Sequence, residues 1–312
     1  MTGLNRSRPL TPSVLSLTVF QSVMPTFKLT IEYDGTDYHG WQVQPGMTTI
    51  QGTLQKAVKR IVGKGVHVMG AGRTDSGVHA LGQVASLRAE FSHPPDTLRR
   101  ALTSVLPPDI VVTAVEEMDN DFHAQRWAQW KRYRYTVLTR PYPSAIERRY
   151  ALFVPYPLKI DAMADAARAL IGTHDFSAFQ AAHSSVKSSV RTVLVAEFRQ
   201  EGDHLSFEIV AGGFLRHMIR IIMGTLLDVG RGRLRPEDLK AILEGRDRNH
   251  ASKTISPHAL CLLEVGYQPF GVHSEKSVQH SVSLMLPSPG LRPPSPTGRG
   301  DGGEGLRLTA ER

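Results

Sequence analysis

Hydrophobic residues recur along this chain with two different periods, and the switches between them mark out a mixed fold. Phe27, Leu29, Ile31 and Tyr33 alternate with Lys28, Thr30 and Glu32, the pattern of a strand with one buried face. Asp34-Gly35 closes that strand as a turn. Leu54, Ala57, Val58 and Ile61 then fall at helical spacing, with Thr48 or Thr49 able to cap the helix start. Residues 83–91 read as a strand, and Leu98, Leu102 and Val105 as a helix stopped by Pro107-Pro108. Residues 110–115 form a further strand. The second half echoes the first, with a strand over 132–138 and a helix carrying Met163, Ala166, Ala167 and Leu170 behind an Asp161 cap. Strands over 191–198 and 205–210 follow. A long helix runs from Phe214 to Val229, a shorter one starts at Pro236, and a last strand covers 260–265.

Two halves that each contain a β-α-β pattern, with no clean internal repeat, predict an α+β fold. The expected architecture is two ferredoxin-like (RRM-like) halves, residues 26–118 and 119–271, each an antiparallel sheet with helices on one face. Their sheets are expected to meet edge to edge around a central cleft. Residues 1–25 read as a poorly ordered extension. Arg6 and Arg8 precede a short apolar stretch there, which also fits a targeting peptide, and Met24 offers an alternative start. Residues 272–312 are rich in Pro, Gly and Ser and read as a disordered tail.

Composition narrows the partners. Hydrophobic residues make up 41% of the 312 and charged residues 21%, proportions that supply a sizeable core. The single cysteine, Cys261, rules out an intrachain disulfide and a cysteine zinc site, and fits a reducing, cytoplasmic setting. No apolar run is long enough to span a membrane. The net charge of +8 suits a polyanion, leaving RNA, DNA and anionic lipid open.

Candidate chemistry begins at Gly70-Ala71-Gly72-Arg73-Thr74-Asp75-Ser76-Gly77-Val78-His79-Ala80, where glycines surround one carboxylate on an open turn. Asp75 can serve as base, nucleophile or metal ligand. His79 is the only other donor in the stretch, so no metal is expected, and His79 itself reads as a buried structural histidine. Arg73 either meets substrate phosphate or solvates the turn. Arg216 and Arg220 stand four apart, on one face of the long helix, and Ile221, Ile222 and Met223 crowd Arg220 toward burial. A buried arginine needs a carboxylate, and Asp75 is the natural one. Trp130-Lys131-Arg132-Tyr133-Arg134-Tyr135 places Tyr133 and Tyr135 on one strand face and the arginines on the other. Such a strand can stack on a base while cations meet phosphate, although tyrosine is also common in ordinary strands. Hydroxyls and cations between Gly172 and Arg191, among them Ser185 and Lys187, suit contact with a phosphate backbone.

Taken together, these stretches resemble the tRNA pseudouridine synthase A family over roughly residues 27–267. Tyr33-Asp34-Gly35-Thr36 with Gly40-Trp41-Gln42 resembles its first strand and turn, and the Asp75 stretch its catalytic loop. Arg132-Tyr133-Arg134-Tyr135 resembles the strand with its active-site tyrosine. Phe214-Leu215 with His217-Met218-Ile219-Arg220 resembles the helix with its basic partner. Ser256-Pro257-His258-Ala259-Leu260 resembles a segment whose leucine packs beside the target base. The chain departs from the family in having Gln125 where arginine usually follows Phe122-His123-Ala124, Ala259 for glycine and Ser256 for alanine.

The resemblance implies isomerisation of uridine to pseudouridine at positions 38, 39 and 40 of the tRNA anticodon stem-loop, by a homodimer without cofactor or metal. Asp75 would attack C1′ or C6, or act as base at C2′. Tyr133 would stack on the base and assist proton loss from C5, Arg220 would pair with Asp75, and Leu260 would pack beside the uracil. Arg73, Arg216, Ser185 and Lys187 would hold the RNA. Three other readings fit less well. Asp75-Ser76-Gly77 matches the aspartic-protease signature, but that chemistry needs two carboxylates sharing a proton beside no arginine. No Gly-Lys-Ser/Thr ends the glycine stretch, which argues against a nucleotide-binding loop. A noncatalytic RNA-binding module explains the charge and the aromatic residues but leaves the Asp, Tyr and Arg set without a role.

Overall fold

A computed structural model of the chain describes residues 24–181 and 186–272. The expectations for residues 1–23 and 273–312, and for Ser185, lie outside the described residues. The alternating stretch becomes strand β1, Thr26–Tyr33, with Phe27, Leu29, Ile31 and Tyr33 all buried. Helix α1, Ile50–Val62, is capped by the Thr49 hydroxyl, which accepts from the Gly52 amide at 3.3 Å. Gly63, at φ 75°, ends it by donating its amide to the Lys59 carbonyl. After the two-residue strand β2, Met69–Gly70, come strand β3, His79–Arg88, helix α2, Pro95–Val105, and strand β4, Ile110–Met118.

The second half supplies strand β5, Trp130–Leu138, the short β6, Leu152–Phe153, helix α3, Ile160–Arg168, and β7, Gly172–Asp175. Strands β8, Val190–Glu201, and β9, His204–Ala211, are followed by helices α4, Met218–Gly230, and α5, Pro236–Gly245, and by strand β10, Leu260–Gly266. No helix among the described residues is long and apolar enough to cross a membrane.

All ten strands join one largely antiparallel sheet in the order β4-β1-β3-β10-β5-β9-β8-β7, with β2 added to β3 and β6 to β5. The junction of the two halves has a simple cause. Strand β2 is so short that it covers β3 only at Ala85 and Ser86. The other end of the same edge stays open, and β10 pairs there in parallel, Cys261 beside His79 and Leu262 beside Ala80. The edge strand that would otherwise be a liability thus becomes the seam.

Four expectations need correction. Strand β3 starts at His79, not residue 83, and stops at Arg88, because its first residues pair with β10, which lies distant in sequence. Lys159, not Asp161, caps α3, and Asp161 lies in the first turn. Helix α4 starts at Met218, because His217 takes the left-handed conformation at φ 62°. Arg216 therefore precedes the helix and shares no face with Arg220. Finally, the β5 arginines are held internally. Arg134 donates to buried Glu208 of β9 at 2.6 Å, and Arg132 lies 3.8 Å from the same carboxylate, so these cations are not free for phosphate.

Burial pushes the phenols of Tyr33, Tyr133, Tyr135 and Tyr267 above their ordinary value, and the Cys261 thiol up to about 12. Each group holds its proton more tightly when folded, so its contribution is complete below the unfolded pKa and lost as pH rises above it. The stability to urea should therefore hold between pH 7 and 8.5 and fall steeply above pH about 10. A midpoint unchanged between pH 9 and 11 would contradict this.

Candidate active site

The turn after β1 forms a platform for the Asp75 loop. A β-carbon on Gly35 would lie 2.0 Å from the Val78 carbonyl oxygen, and one on Gly40, at φ +80°, 2.6 Å from the Thr74 carbonyl oxygen. Only glycine lets the two backbones approach this closely. The Trp41 amide donates to the Thr74 carbonyl at 3.1 Å, and the Gly77 amide and Ser76 hydroxyl both donate to the Tyr38 carbonyl. The Thr74 and Tyr33 hydroxyls share a 2.8 Å hydrogen bond, and the Gln83 amide group donates to the Gly72 carbonyl. The backbone around Asp75 is fixed, while its carboxylate keeps 27% of its exposure.

His79 fastens the far end of the loop. It is buried, with Nε2 2.9 Å from the carbonyls of both Arg149 and His258 and Nδ1 3.1 Å from the Gly35 amide and the Asp34 carboxylate. Burial raises the pKa of Asp34, but the close approach of His79 and hydrogen bonds from Thr36 and Tyr150 outweigh it and hold the carboxyl well below the usual range. His79 thus ties together the β1 turn, residues 147–150 and the segment before β10.

Of the predicted partners, Arg220 meets the open carboxylate directly. Arg220, on the first turn of α4, places Nη1 3.2 Å from Asp75 Oδ2 and donates Nε to the Ile255 carbonyl at 2.8 Å, which fixes the direction of the fork. Tyr133 lies on β5 with its ring edge-on to Phe214, centroids 5.1 Å apart. Burial raises its phenol above the ordinary range, and Tyr33, Asp75 and Cys261 add to the shift. The phenol stays protonated near neutrality, which limits its expected help in proton loss from C5 to that of a neutral hydroxyl. Leu260 opens β10 directly opposite Tyr135, and Leu262 lies opposite Tyr133, so both leucines share the face of the tyrosines. The Tyr135 hydroxyl donates to the Ser256 carbonyl and holds the segment before β10 in place.

The remaining candidates are more dispersed. Arg73 and Lys187 are exposed and form no hydrogen bond or ion pair among the described residues. Arg216 is exposed, and its carbonyl accepts from the Ala181 amide. No group of three or more potential metal-ligating side chains exists among the described residues.

One neighbour of Asp75 escaped sequence reasoning. His217 places Nε2 3.7 Å from Asp75 Oδ2. Burial lowers its pKa, Asp75 opposes that shift, and Arg220, Arg216 and Arg248 reinforce it. Its signal lay inside the quoted Phe214–Arg220 stretch, but a continuous helix there conceals the left-handed residue that turns the imidazole toward the loop.

Similarity to known proteins extends over most of the chain. The tRNA pseudouridine synthase family matches residues 29–125 and 166–268. The tRNA pseudouridine synthase A of Acetivibrio thermocellus is 45% identical over 244 residues, 78% of this chain and 100% of that protein. The Moorella thermoacetica protein of the same name is 45% identical over 246 residues, with the same coverage. The one from Exiguobacterium sibiricum is 45% identical over 244 residues, covering 78% of this chain and 97% of its own length.

The platform can be tested without reference to activity. Gly40→Ala combines a positive φ with a backbone clash, whereas Gly46→Ala meets the same φ, +74°, with nothing within 4 Å. Gly46→Ala should cost about 1 kcal/mol in urea unfolding, and Gly40→Ala at least ~2 kcal/mol more. Equal costs would show that the Asp75 loop does not press on Gly40.

Proposed function

Because the chain belongs to the tRNA pseudouridine synthase family, we propose that it converts uridines 38, 39 and 40 of the tRNA anticodon stem-loop to pseudouridine, with Asp75 as the reacting carboxylate. Its reaction class is that of the family, an isomerisation acting on tRNA. The N1–C1′ bond breaks, the uracil turns, and C5 bonds to C1′. The proton on C5 leaves and N1 ends protonated, so atoms and electrons balance without a redox partner, and no cofactor or metal is assigned.

The observation that carries this reading is the 3.2 Å contact between Arg220 and Asp75. A guanidinium stays charged at every working pH and keeps its carboxylate partner oriented for attack or proton abstraction. Tyr133 stacks on the uracil, with Leu260 beside it, once the nucleotide leaves its helix stack. Arg73, Arg216, Ser185 and Lys187 contact the RNA backbone around it. The net charge of +8 supports a polyanionic substrate. The enzyme works as a homodimer in the cytoplasm, and one tRNA touches both subunits.

We assign residues 26–118 and 119–271 as two ferredoxin-like halves. Two strand orders support this: β4-β1-β3-β2, with α1 and α2 between strands, and β10-β5-β9-β8, with α3 and α4. Residues 1–24 and 272–312 are proposed as dispensable extensions.

Asp75→Asn should abolish pseudouridine formation, read by mapping modified positions in tRNA, while affinity for tRNA stays within a few fold. Arg220→Ala should lose nearly all activity, and Arg220→Lys should retain part, since lysine keeps the charge and loses the fork. Substantial turnover by verified Asp75→Asn protein would falsify the assignment of the carboxylate. A chain trimmed to 25–271 should keep its turnover number, with at most a modest rise in KM at low salt. A tenfold fall in turnover by soluble trimmed protein would overturn the assigned boundaries.

A further inference from the structure

Strand β5 separates its charges by face. Arg132 and Arg134 point to one side and meet buried Glu208. Lys131 points to the other, the face of Tyr133 and Tyr135. Its side chain is partly buried and forms no hydrogen bond or ion pair among the described residues. Its stem packs against the loop of Asp75, where a β-carbon on Gly72 would lie 3.0 Å from Lys131 Cε.

A second cation lies on the same sheet face, two strands away. Arg191, near the start of β8, is close enough for its charge to act on Lys131. Burial first and then Arg191 push the lysine ammonium below its ordinary range. Arg191 donates Nη1 to the Ser188 and Val190 carbonyls, and its other N–H groups have no acceptor among the described residues. Between the two strands runs the end of β9. Lys131 pairs with Ala211, and the Gly212 amide donates to the Thr192 carbonyl. A β-carbon on Gly213 would lie 3.7 Å from Arg191 Nε, so the chain there carries no side chain to cover the arginine.

Two like charges acting on each other in partial burial, with no carboxylate paired to either among the described residues, are unfavourable for the free protein. An anion relieves both costs. We propose that Lys131 and Arg191 form a phosphodiester subsite that seats the RNA backbone next to the reacting uridine. Its position fits that occupant. Lys131 stands one face-repeat along β5 from Tyr133, about 7 Å. Phe214, directly after Gly213, packs against the Tyr133 ring. The base site and the phosphate site are therefore built from the same two segments. This subsite rests on the reading of the protein as a tRNA-modifying enzyme, but its binding test does not depend on turnover.

The test uses full-length protein and a tRNA anticodon stem-loop, with affinity measured from 50 to 200 mM salt. Lys131→Met and Arg191→Gln should each weaken binding about 5- to 10-fold at 0.1 M salt and make the log–log salt slope shallower by about 0.7–0.9. Lys131→Arg should keep the wild-type slope. Lys131→Met should also melt at or above the wild-type temperature, because it removes an uncompensated cation from the free protein. An unchanged salt slope in Lys131→Met and Arg191→Gln would overturn the subsite. So would a lowered melting temperature with the slope retained, the signature of a purely structural lysine. Wild-type protein that binds with the expected slopes but forms no pseudouridine would overturn the proposed function and leave the subsite standing.

Discussion

Asp75 and Arg220 are 145 residues apart in sequence and 3.2 Å apart in the fold. Holding them together requires the two halves of the chain to be fixed at the seam between β3 and β10. His79 opens β3 four residues after Asp75 and pairs with Cys261 across that seam. The segment before β10 gives Arg220 its backbone acceptor at Ile255, so the loop and the guanidinium are both referred to the same strand junction. With Asp75 only 27% exposed and Arg220 13%, loss of either partner leaves a charge without compensation in a half-dry setting. The truncation of β2 to two residues is what opens the edge of β3 on which this arrangement depends.

The two faces of β5 carry different sets of contacts. Toward β9, Arg132 and Arg134 share the Glu208 carboxylate, an ion cluster that links the two paired strands. On the opposite face, Lys131, Tyr133 and Tyr135 follow the loop that carries Asp75. Tyr135 is committed to the Ser256 carbonyl, so its role is to hold the segment that positions Leu260. Tyr133, itself buried, has its ring braced edge-on by Phe214. An alternating basic-aromatic strand thus divides into an internal ion cluster and an aromatic face beside the Asp75 loop.

Much of this was legible in the sequence, and what was missed follows a physical rule. Local patterns were sufficient for β1, for α1 with its Thr49 cap and for α2 with its proline stop, because burial on one face and terminal chemistry are encoded within a few residues. Features set by distant contacts were not legible. The start of β3 depends on β10, and the four-residue delay of α4 depends on a left-handed His217 that no periodicity marks. The pairing of Arg220 with Asp75 was expected, since burial of an arginine demands a carboxylate. The fate of Arg132 and Arg134 was not, since Glu208 lies on a strand paired by tertiary register. Gly35 and Gly40 could be recognised as part of a motif, but their purpose, close approach to the Val78 and Thr74 carbonyls, required coordinates.

The proposed activity requires the Asp75 site to break and remake the bond between uracil and ribose rather than simply hold RNA. The most direct measurement is tritium release from tRNA labelled at uracil C5, with wild-type protein in single-turnover excess. Formation of a C5–C1′ bond must expel the C5 hydrogen, so the account expects one tritium in the solvent for each uridine converted at positions 38, 39 and 40. Tight binding of the labelled tRNA with no tritium released would contradict it and make this chain a binding protein built on an enzyme's scaffold.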